Sequence, residues 1–96
     1  MKFNHRFEDT KGYFEYLDEL NGKEQTVAYV SYSKAGDDKI IIDHTDVRPD
    51  YKGQDLGRQL VMKAVEYARE KKIKIFPICP FTASVFQKDE SIRDVL

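Results

Sequence analysis

The stretch from His44 to Arg58, HTDVRPDYKGQDLGR, contains three local signals that together decide the fold. It begins as the end of a strand, continues through a polar turn that holds Gly53 and Gly57, and enters a helix. The first N–H groups of a helix have no partner inside the helix, and the helix dipole favours negative charge there. The stretch therefore predicts an anion site, which we interpret as a site for a pyrophosphate.

The residues before this turn predict four strands joined by short turns. Asn21-Gly22 is a hairpin signal, and the uninterrupted run Ile40-Ile41-Ile42 is typical of a central strand that is covered on both faces. The four predicted strands cover residues 2–8, 13–17, 26–33 and 39–47. Four strands in succession with short connections predict an antiparallel meander.

The hydrophobic period changes to three and four residues from Leu56 onward, which predicts an amphipathic helix of about 16 residues ending near Lys71-Lys72. A fifth strand follows at 73–78, where Pro77 indicates an edge or a bulge. Pro80 suits the first position of a short helix that extends to about residue 88, and residues 91–96 add a turn of helix.

The order of these elements predicts a fold class of mixed α+β and α/β type in a single domain of residues 1–96. An antiparallel β-meander is followed by a β-α-β-α unit around one central mixed sheet. The fourth and fifth strands are joined by a helix, so they should run parallel with a right-handed crossover. Ligands of such sheets bind beyond the carboxyl ends of the parallel strands.

The composition excludes several classes of protein. A formal net charge of -1 argues against general binding to nucleic acid, which needs a concentrated basic surface. Cys79 is the only cysteine, so no internal disulfide can form, and with His5 and His44 it cannot make a four-ligand zinc site without carboxylates. No apolar run approaches the ~20 residues of a membrane span. We therefore expect a cytoplasmic monomer with no membrane or nucleic-acid partner.

Two side chains near the predicted sheet edge carry reactive chemistry. Cys79 directly precedes Pro80 and should occupy the helix N-cap, where the pKa of a thiol falls; the alternative is a buried cysteine that only packs. His44 should share a face with Asp46 near the end of its strand and could serve as a general base, or else be an ordinary structural histidine. Phe81 could pack against a ligand.

The glycine turn itself has two interpretations. Lys52 and Arg58 supply positive charge on either side of it, but the spacing matches neither a Walker loop nor a dinucleotide fingerprint. Its glycines could instead serve a plain turn and the close packing of the helix on the sheet.

The motif V-x-P-x-Y-K-G-Q-x-L-G-x-x-L, residues 47–60, resembles the acetyl-coenzyme A signature of the GNAT superfamily of N-acetyltransferases. Together with HTDV at 44–47 and CPF at 79–81, it is similar to the small, single-domain GNAT-like subfamily. One position departs from the pattern, because Asp55 stands where the family loop has its middle glycine. We expect Asp55 to cap the helix, with Arg58 offsetting its charge.

The resemblance implies an acetyl-CoA-dependent N-acetyltransferase that needs no metal and acts on an unidentified amine. Backbone amides of residues 53–58 would hold the pyrophosphate, and the pantetheine would pair with the backbone near Asp46 and Val47. The thioester would reach Cys79, which with His44 forms the predicted catalytic pair and would either accept the acetyl group or protonate the departing coenzyme. The predicted coenzyme-binding residues are Asp46, Val47, Lys52, Gly53, Gln54, Asp55, Leu56, Gly57, Arg58 and Phe81.

Two other functions fit the same residues. A non-catalytic acetyl-CoA or CoA binding module would use the same loop, with Cys79 only as a wall of the cleft. A small interaction domain would use the glycine loop only as a turn.

Overall fold

A computed structural model describes all residues from Met1 to Leu96, and its strands form one five-stranded sheet in chain order. Neighbouring strands are antiparallel except the last pair, which is parallel. The strands are β1 (Lys2–Glu8), β2 (Lys11–Leu20), β3 (Lys23–Lys34), β4 (Lys39–Val47) and β5 (Lys74–Pro77). The predicted mixed sheet and the predicted meander are both confirmed.

Two α-helices follow the meander, α1 (Leu56–Lys71) and α2 (Pro80–Lys88), and short 3-10 helices occupy Pro49–Tyr51 and Glu90–Val95. The predicted extents of α1 and α2 are confirmed, whereas the tail is a 3-10 helix. None of the helices has the length and apolar content needed to cross a bilayer. The apolar stripe of α1 is buried against the sheet: Leu56, Leu60, Val61, Ala64, Val65 and Ala68.

Both helices pack on one face of the sheet, where a single hydrophobic cluster forms the core. The other face carries no helix and is lined by polar and aromatic side chains. Glu15 on that face is only 2% exposed, and it accepts hydrogen bonds from Asn4, Arg6 and Thr26. We call this helix-free surface the outer face. The expectation of a central strand covered on both faces is therefore wrong for β4.

The hairpin between β2 and β3 extends further than its apolar residues predict. The ladder continues through polar pairs to Leu20 and Lys23, because Asn21 and Gly22 adopt positive φ angles of 54° and 77° and close a two-residue turn. At the other edge, β5 is shorter than predicted, since its pairing with β4 ends at Pro77.

A β-bulge at Asp43 changes the direction of the side chains along β4. Ile42 and His44 lie opposite consecutive residues of β3, so Asp43 is an extra residue in the strand. Ile42 faces the helices. Because of the bulge, the next side chain of β4 that faces the helices is Thr45 rather than His44. The Asp43 carboxylate points to the outer face, where Ser31 Oγ donates to it at 2.7 Å.

Candidate active site

A gap opens between β4 and β5 where the two parallel strands separate. Their pairing ends at Ile42 and Pro77, and the backbone N–H groups of Ile78 and Cys79 both donate to the Ile42 carbonyl at 3.1 Å. From there to Val47, β4 pairs only with β3. The backbone of β4 on the β5 side is therefore free to accept an added extended chain.

The loop between β4 and α1 presents backbone amides that have no partner. No amide from Gly53 to Arg58 donates a loop or capping hydrogen bond, and the first intrahelical bond runs from Gln59 N to the Asp55 carbonyl at 3.1 Å. Gly53 has φ +90°, a conformation that other residues rarely adopt. These N–H groups and the helix dipole together form a cradle for an anion.

A cavity of about 360 Å³ lies over this loop and extends to the end of β4. Every residue predicted at the coenzyme site lines it except Gln54, whose carbonyl accepts from Gln59 Nε2 at 3.2 Å. Two lining residues were not predicted, Thr45 and Tyr51. The lining residues are Thr45, Asp46, Val47, Tyr51, Lys52, Gly53, Asp55, Leu56, Gly57, Arg58 and Phe81.

Tyr51 fixes the position of the loop relative to the β2–β3 hairpin. Its hydroxyl donates to Asp18 Oδ2 at 2.6 Å, and this hydrogen bond raises the pKa of the Tyr51 phenol and lowers that of the Asp18 carboxyl. No local sequence signal identifies this pair, because the two residues are 33 positions apart.

Asp55 occupies the N-cap position of α1 but does not cap the helix with its side chain. Its backbone is left-handed, with φ 62°, and its carboxylate instead accepts from Arg58 Nε at 2.7 Å. The expectation of side-chain capping is therefore wrong, because a capping residue needs an extended backbone. The left-handed conformation is the one that a glycine would adopt without strain.

Gly57 and Phe81 bring the starts of the two helices into contact. A Cβ atom on Gly57 would lie 2.9 Å from two atoms of the Phe81 ring, so any other residue would require the ring to shift. The ring remains 42% exposed and forms one wall of the cavity. Gly57 thus serves packing between helices as well as the loop.

Cys79 occupies the N-cap of α2, as the position of Pro80 predicts, and is 7% exposed. Thr45 Oγ1 lies 3.4 Å from its sulfur. Burial disfavours the thiolate, but hydrogen bonds from Thr45 and from the backbone amides of Thr82 and Phe81 outweigh it, and the pKa of the Cys79 thiol is lowered. The thiolate is therefore easier to form here than in a free cysteine.

The two predicted catalytic residues do not touch each other. His44 shares the outer face with Asp46, as predicted, and its ring centroid is 5.7 Å from that of Tyr29. Thr45 and Cys79 lie on the face that carries the helices. A direct Cys79–His44 pair is therefore excluded in this conformation, because the bulge in β4 reverses the alternation that would turn His44 toward the sulfur.

No group of three or more His, Cys, Asp or Glu side chains is arranged to hold a metal ion. The donors of the site are instead amides, hydroxyls and two cationic side chains, Lys52 and Arg58. This set suits a phosphate-containing ligand.

Comparisons with known proteins agree with this arrangement. A family model described as GCN5-related N-acetyl-transferase matches residues 13–95. No curated protein sequence matches the chain. Among solved structures, a GCN5-like protein from Staphylococcus aureus, determined by NMR, has 32% identity and a TM-score of 0.68; the match covers 96% of this chain and 85% of that one.

Two more distant structures share the fold. Ribosomal-protein-alanine N-acetyltransferase from Brucella melitensis has 16% identity and a TM-score of 0.63, with 82% of this chain and 62% of that chain covered. Nourseothricin acetyltransferase has 21% identity and a TM-score of 0.52, with 71% and 39% covered. At these identities the likeness concerns the fold alone.

Proposed function

Because this chain belongs to the GCN5-related N-acetyltransferase family, we propose that it transfers an acetyl group from acetyl-CoA to an amine. The observation that carries the proposal is the row of unpartnered amides from Gly53 to Arg58, which opens onto a cavity that leads to the free side of β4 and to the N-terminus of α2. A pyrophosphate would satisfy these donors.

The coenzyme would lie along the cavity from the loop to the strand gap. Lys52 would stay beside the phosphates, and Arg58 would exchange its contact with Asp55 for a phosphate oxygen. The pantetheine amides would pair with the β4 backbone at Asp46 and Val47, which has no β5 partner. The thioester would then arrive beside Cys79.

We favour Cys79 as the nucleophile over Cys79 as an acid. A lowered pKa increases the share of thiolate, which is the nucleophilic form and has no proton to give to a leaving thiolate. The Cys79 thiolate would form a C–S bond to the acetyl carbon as the bond to the coenzyme sulfur breaks, and the coenzyme would leave as a thiolate. The amine would then attack acetyl-Cys79 and release the Cys79 thiolate.

The acceptor amine would enter from the outer face of the sheet. His44 and Asp46 are both exposed there, and Asp46 forms no ion pair. An ammonium group could rest against the Asp46 carboxylate beside Tyr29 and lose one proton to solvent to become the neutral amine. His44 would then take the second proton, which the amine loses on attack. In this arrangement the nucleophile and the base act from opposite faces across the gap between β4 and β5.

Binding and turnover separate this proposal from its alternatives. Acetyl-CoA should raise the melting temperature, because a ligand that prefers the native state stabilises it; no effect would leave only the small interaction domain. Intact mass after incubation should show one added acetyl group in the wild type and none in Cys79→Ala or Cys79→Ser.

The outcomes of that mass measurement are distinct. Binding without acetylation or coenzyme release would indicate a non-catalytic acetyl-CoA or CoA binding module. Undiminished acetyl transfer by Cys79→Ala would remove the cysteine from the mechanism and leave direct attack by the amine. Release of free coenzyme A with a panel of lysine peptides, N-terminal peptides, polyamines and small amines would identify the acceptor.

A further inference from the structure

The hydroxyl of Thr82 is a buried polar group without a partner. Thr82 is the third residue of α2 and is fully buried, and its Oγ1 makes no hydrogen bond. Buried hydroxyls nearly always have a partner, because an unmade hydrogen bond is unfavourable in the interior of a protein. This hydroxyl is therefore available to an acceptor near the N-terminus of α2.

The ordinary partners of a threonine at this position are already engaged or absent. A side chain at the third helical position commonly bonds back to the N-cap amide, but the Cys79 N–H already donates to the Ile42 carbonyl at 3.1 Å. The Cys79 carbonyl accepts from Ala83 N at 2.9 Å. Thr82 therefore does not serve to cap its own helix.

Thr82 lies three residues after the N-cap residue Cys79, so the two side chains are neighbours at the first turn of α2. The Thr82 hydroxyl, the helix amides and Thr45 all favour the ionised form of that thiol against the opposing effect of burial. Thr45 Oγ1 approaches the same sulfur from β4 at 3.4 Å. Threonines of two different elements, β4 and α2, thus belong to the surroundings of this sulfur.

We propose that Thr82 is a positioning residue whose hydroxyl donates to the Cys79 thiolate and, with Thr45 and the first amides of α2, forms a cradle for a sulfur anion. A neutral thiol is a weak acceptor and a thiolate is a strong one, so the hydroxyl gains its partner when the cysteine ionises. The use of this anion in acetyl transfer rests on the proposed function, but the cradle itself does not.

Charged side chains do not explain the same effect. Cys79 forms no ion pair, and its only side-chain hydrogen bond is to Thr45. His44 and Asp46, the titratable neighbours on β4, point to the outer face, and Asp55 and Arg58 at the start of α1 pair with each other. Neutral donors alone must therefore hold the anion.

Matched variants of Thr82 test the proposal. Thr82→Val keeps the shape and removes the hydroxyl, Thr82→Ala removes it with less bulk, and Thr82→Ser keeps it. The readout is the ultraviolet absorbance of the thiolate against pH, which is unambiguous because Cys79 is the only cysteine; a Cys79→Ser titration subtracts the tyrosines.

We expect the titration midpoint to rise by about one unit or more in Thr82→Val and Thr82→Ala, which is roughly a tenfold loss of thiolate near neutral pH. Thr82→Ser should titrate like the wild type. The melting temperature of Thr82→Val should stay the same or rise, since an unpartnered hydroxyl is replaced by a methyl group in an apolar core.

An unchanged midpoint in both Thr82→Val and Thr82→Ala, or an equal rise in Thr82→Ser, would overturn the proposal. Thr45→Val should raise the midpoint independently, and its failure to do so would remove the β4 side of the cradle. The titration needs no acetyl-CoA. A shifted midpoint with neither acetylation of the wild type nor release of coenzyme A would therefore contradict the proposed function and leave the cradle intact.

Discussion

Asp55 is the residue of the loop between β4 and α1 whose side chain fits its backbone conformation least well. A left-handed residue with a carboxylate carries local strain and places negative charge at the mouth of an anion cradle. Its ion pair with Arg58 neutralises that charge but also occupies the arginine. The loop therefore has the backbone conformation of an anion site, but Asp55 weakens its electrostatic attraction for phosphate.

Asp55→Gly should bind acetyl-CoA more tightly. The change frees Arg58 and removes the carboxylate, and since exposed pairs of charges are worth about 0.2–1 kcal/mol, we expect roughly two- to fivefold tighter binding by isothermal titration calorimetry. Stability should change by less than ~1 kcal/mol, because the relief of strain is offset by the greater freedom of glycine in the unfolded chain.

Asp55→Asn is the control that separates charge from backbone conformation. It removes the charge but keeps a residue that tolerates the left-handed region. Equal gains in both variants would assign the effect to charge, and a gain in Asp55→Gly alone would assign it to the backbone. Weaker binding by both would contradict our view of this loop.

Gly57→Ala should disturb the cavity more than the helix. The new methyl group would displace the Phe81 ring at a cost of about 1–3 kcal/mol, while the replacement of a helical glycine returns up to ~1 kcal/mol. We expect a net loss of stability of up to about 2 kcal/mol in urea denaturation, with weaker binding of acetyl-CoA.

A double-mutant cycle with Phe81→Ala tests the cause of that loss. In the Phe81→Ala background the clash is gone, so Gly57→Ala should become neutral or stabilising. The same loss in both backgrounds would show that another contact of residue 57 is responsible.

Single residues divide clearly into those that the sequence identifies and those that it does not. The loop glycines and Cys79 could be placed because a turn, a helix start and Pro80 are local signals. The hydrogen bond from Tyr51 to Asp18 and the orphaned Thr82 hydroxyl could not, because each depends on side-chain directions that exist only once the strands and helices have packed.

The strand β4 determines the site through one extra residue. Asp43 interrupts an otherwise regular ladder with β3, and the pairing of β4 with β5 ends at Ile42, the residue before it. Bulges bend the strand that carries them, so we expect this one to contribute to the separation. Ile40 and Ile42 face the helices, and regular alternation from them would turn His44 toward the helices as well. No signal in the sequence marks the bulge at Asp43 that prevents this. The extents of α1 and β4 were predictable because their hydrophobic patterns are strong. The face of the sheet on which each side chain beyond the bulge lies was not predictable.

Deletion of Asp43 should weaken coenzyme binding without changing which face each later side chain occupies. Regular pairing with β3 would be restored, and β4 would lose the bend that keeps its free edge open. Hydrogen bonds from Ser31, Ser33 and Lys11 would be lost, at a cost of roughly 1–3 kcal/mol in chemical denaturation.

Asp43→Ala is the matched control for this deletion. It loses the same hydrogen bonds but keeps the extra residue, so its stability should fall similarly while its affinity for acetyl-CoA stays closer to that of the wild type. Equal affinities of the deletion and of Asp43→Ala would show that the bulge does not shape the binding site.

The whole molecule consists of a sheet with helices on one side only, and this asymmetry assigns different chemistry to its two faces. The order of the strands was predictable because each connection is short or a single crossover helix. The outer face was not: buried Glu15 is surrounded by polar partners from β1 and β3, and only the packed sheet brings those residues together. Glu15 is therefore buried on a face that no helix covers, and its hydrogen bonds to these partners compensate for the loss of water.

Stability of the fold should decline on acidification in two separate steps. Burial lowers the pKa of His5 below 6.5, so protons bind preferentially to the unfolded chain. The contribution of neutral His5 to stability is fully present above pH 6.5 and is lost as the pH falls through the pKa of His5 in the folded protein. For Glu15, burial acts to raise the pKa from 4.5, but hydrogen bonds from Asn4, Arg6 and Thr26 outweigh it.

Because the pKa of Glu15 is lowered, its contribution to stability is fully present above pH 4.5. This contribution is lost as the pH falls through the pKa that Glu15 has in the folded protein. Melting temperatures should therefore fall slightly below pH 6.5 and fall more steeply below pH 4.5. His5→Gln should remove the first step alone, because glutamine can still reach the Tyr32 hydroxyl that His5 contacts at 2.6 Å. Glu15→Gln should reduce the second. A melting temperature that rises between pH 7 and pH 5 would contradict the direction assigned to His5.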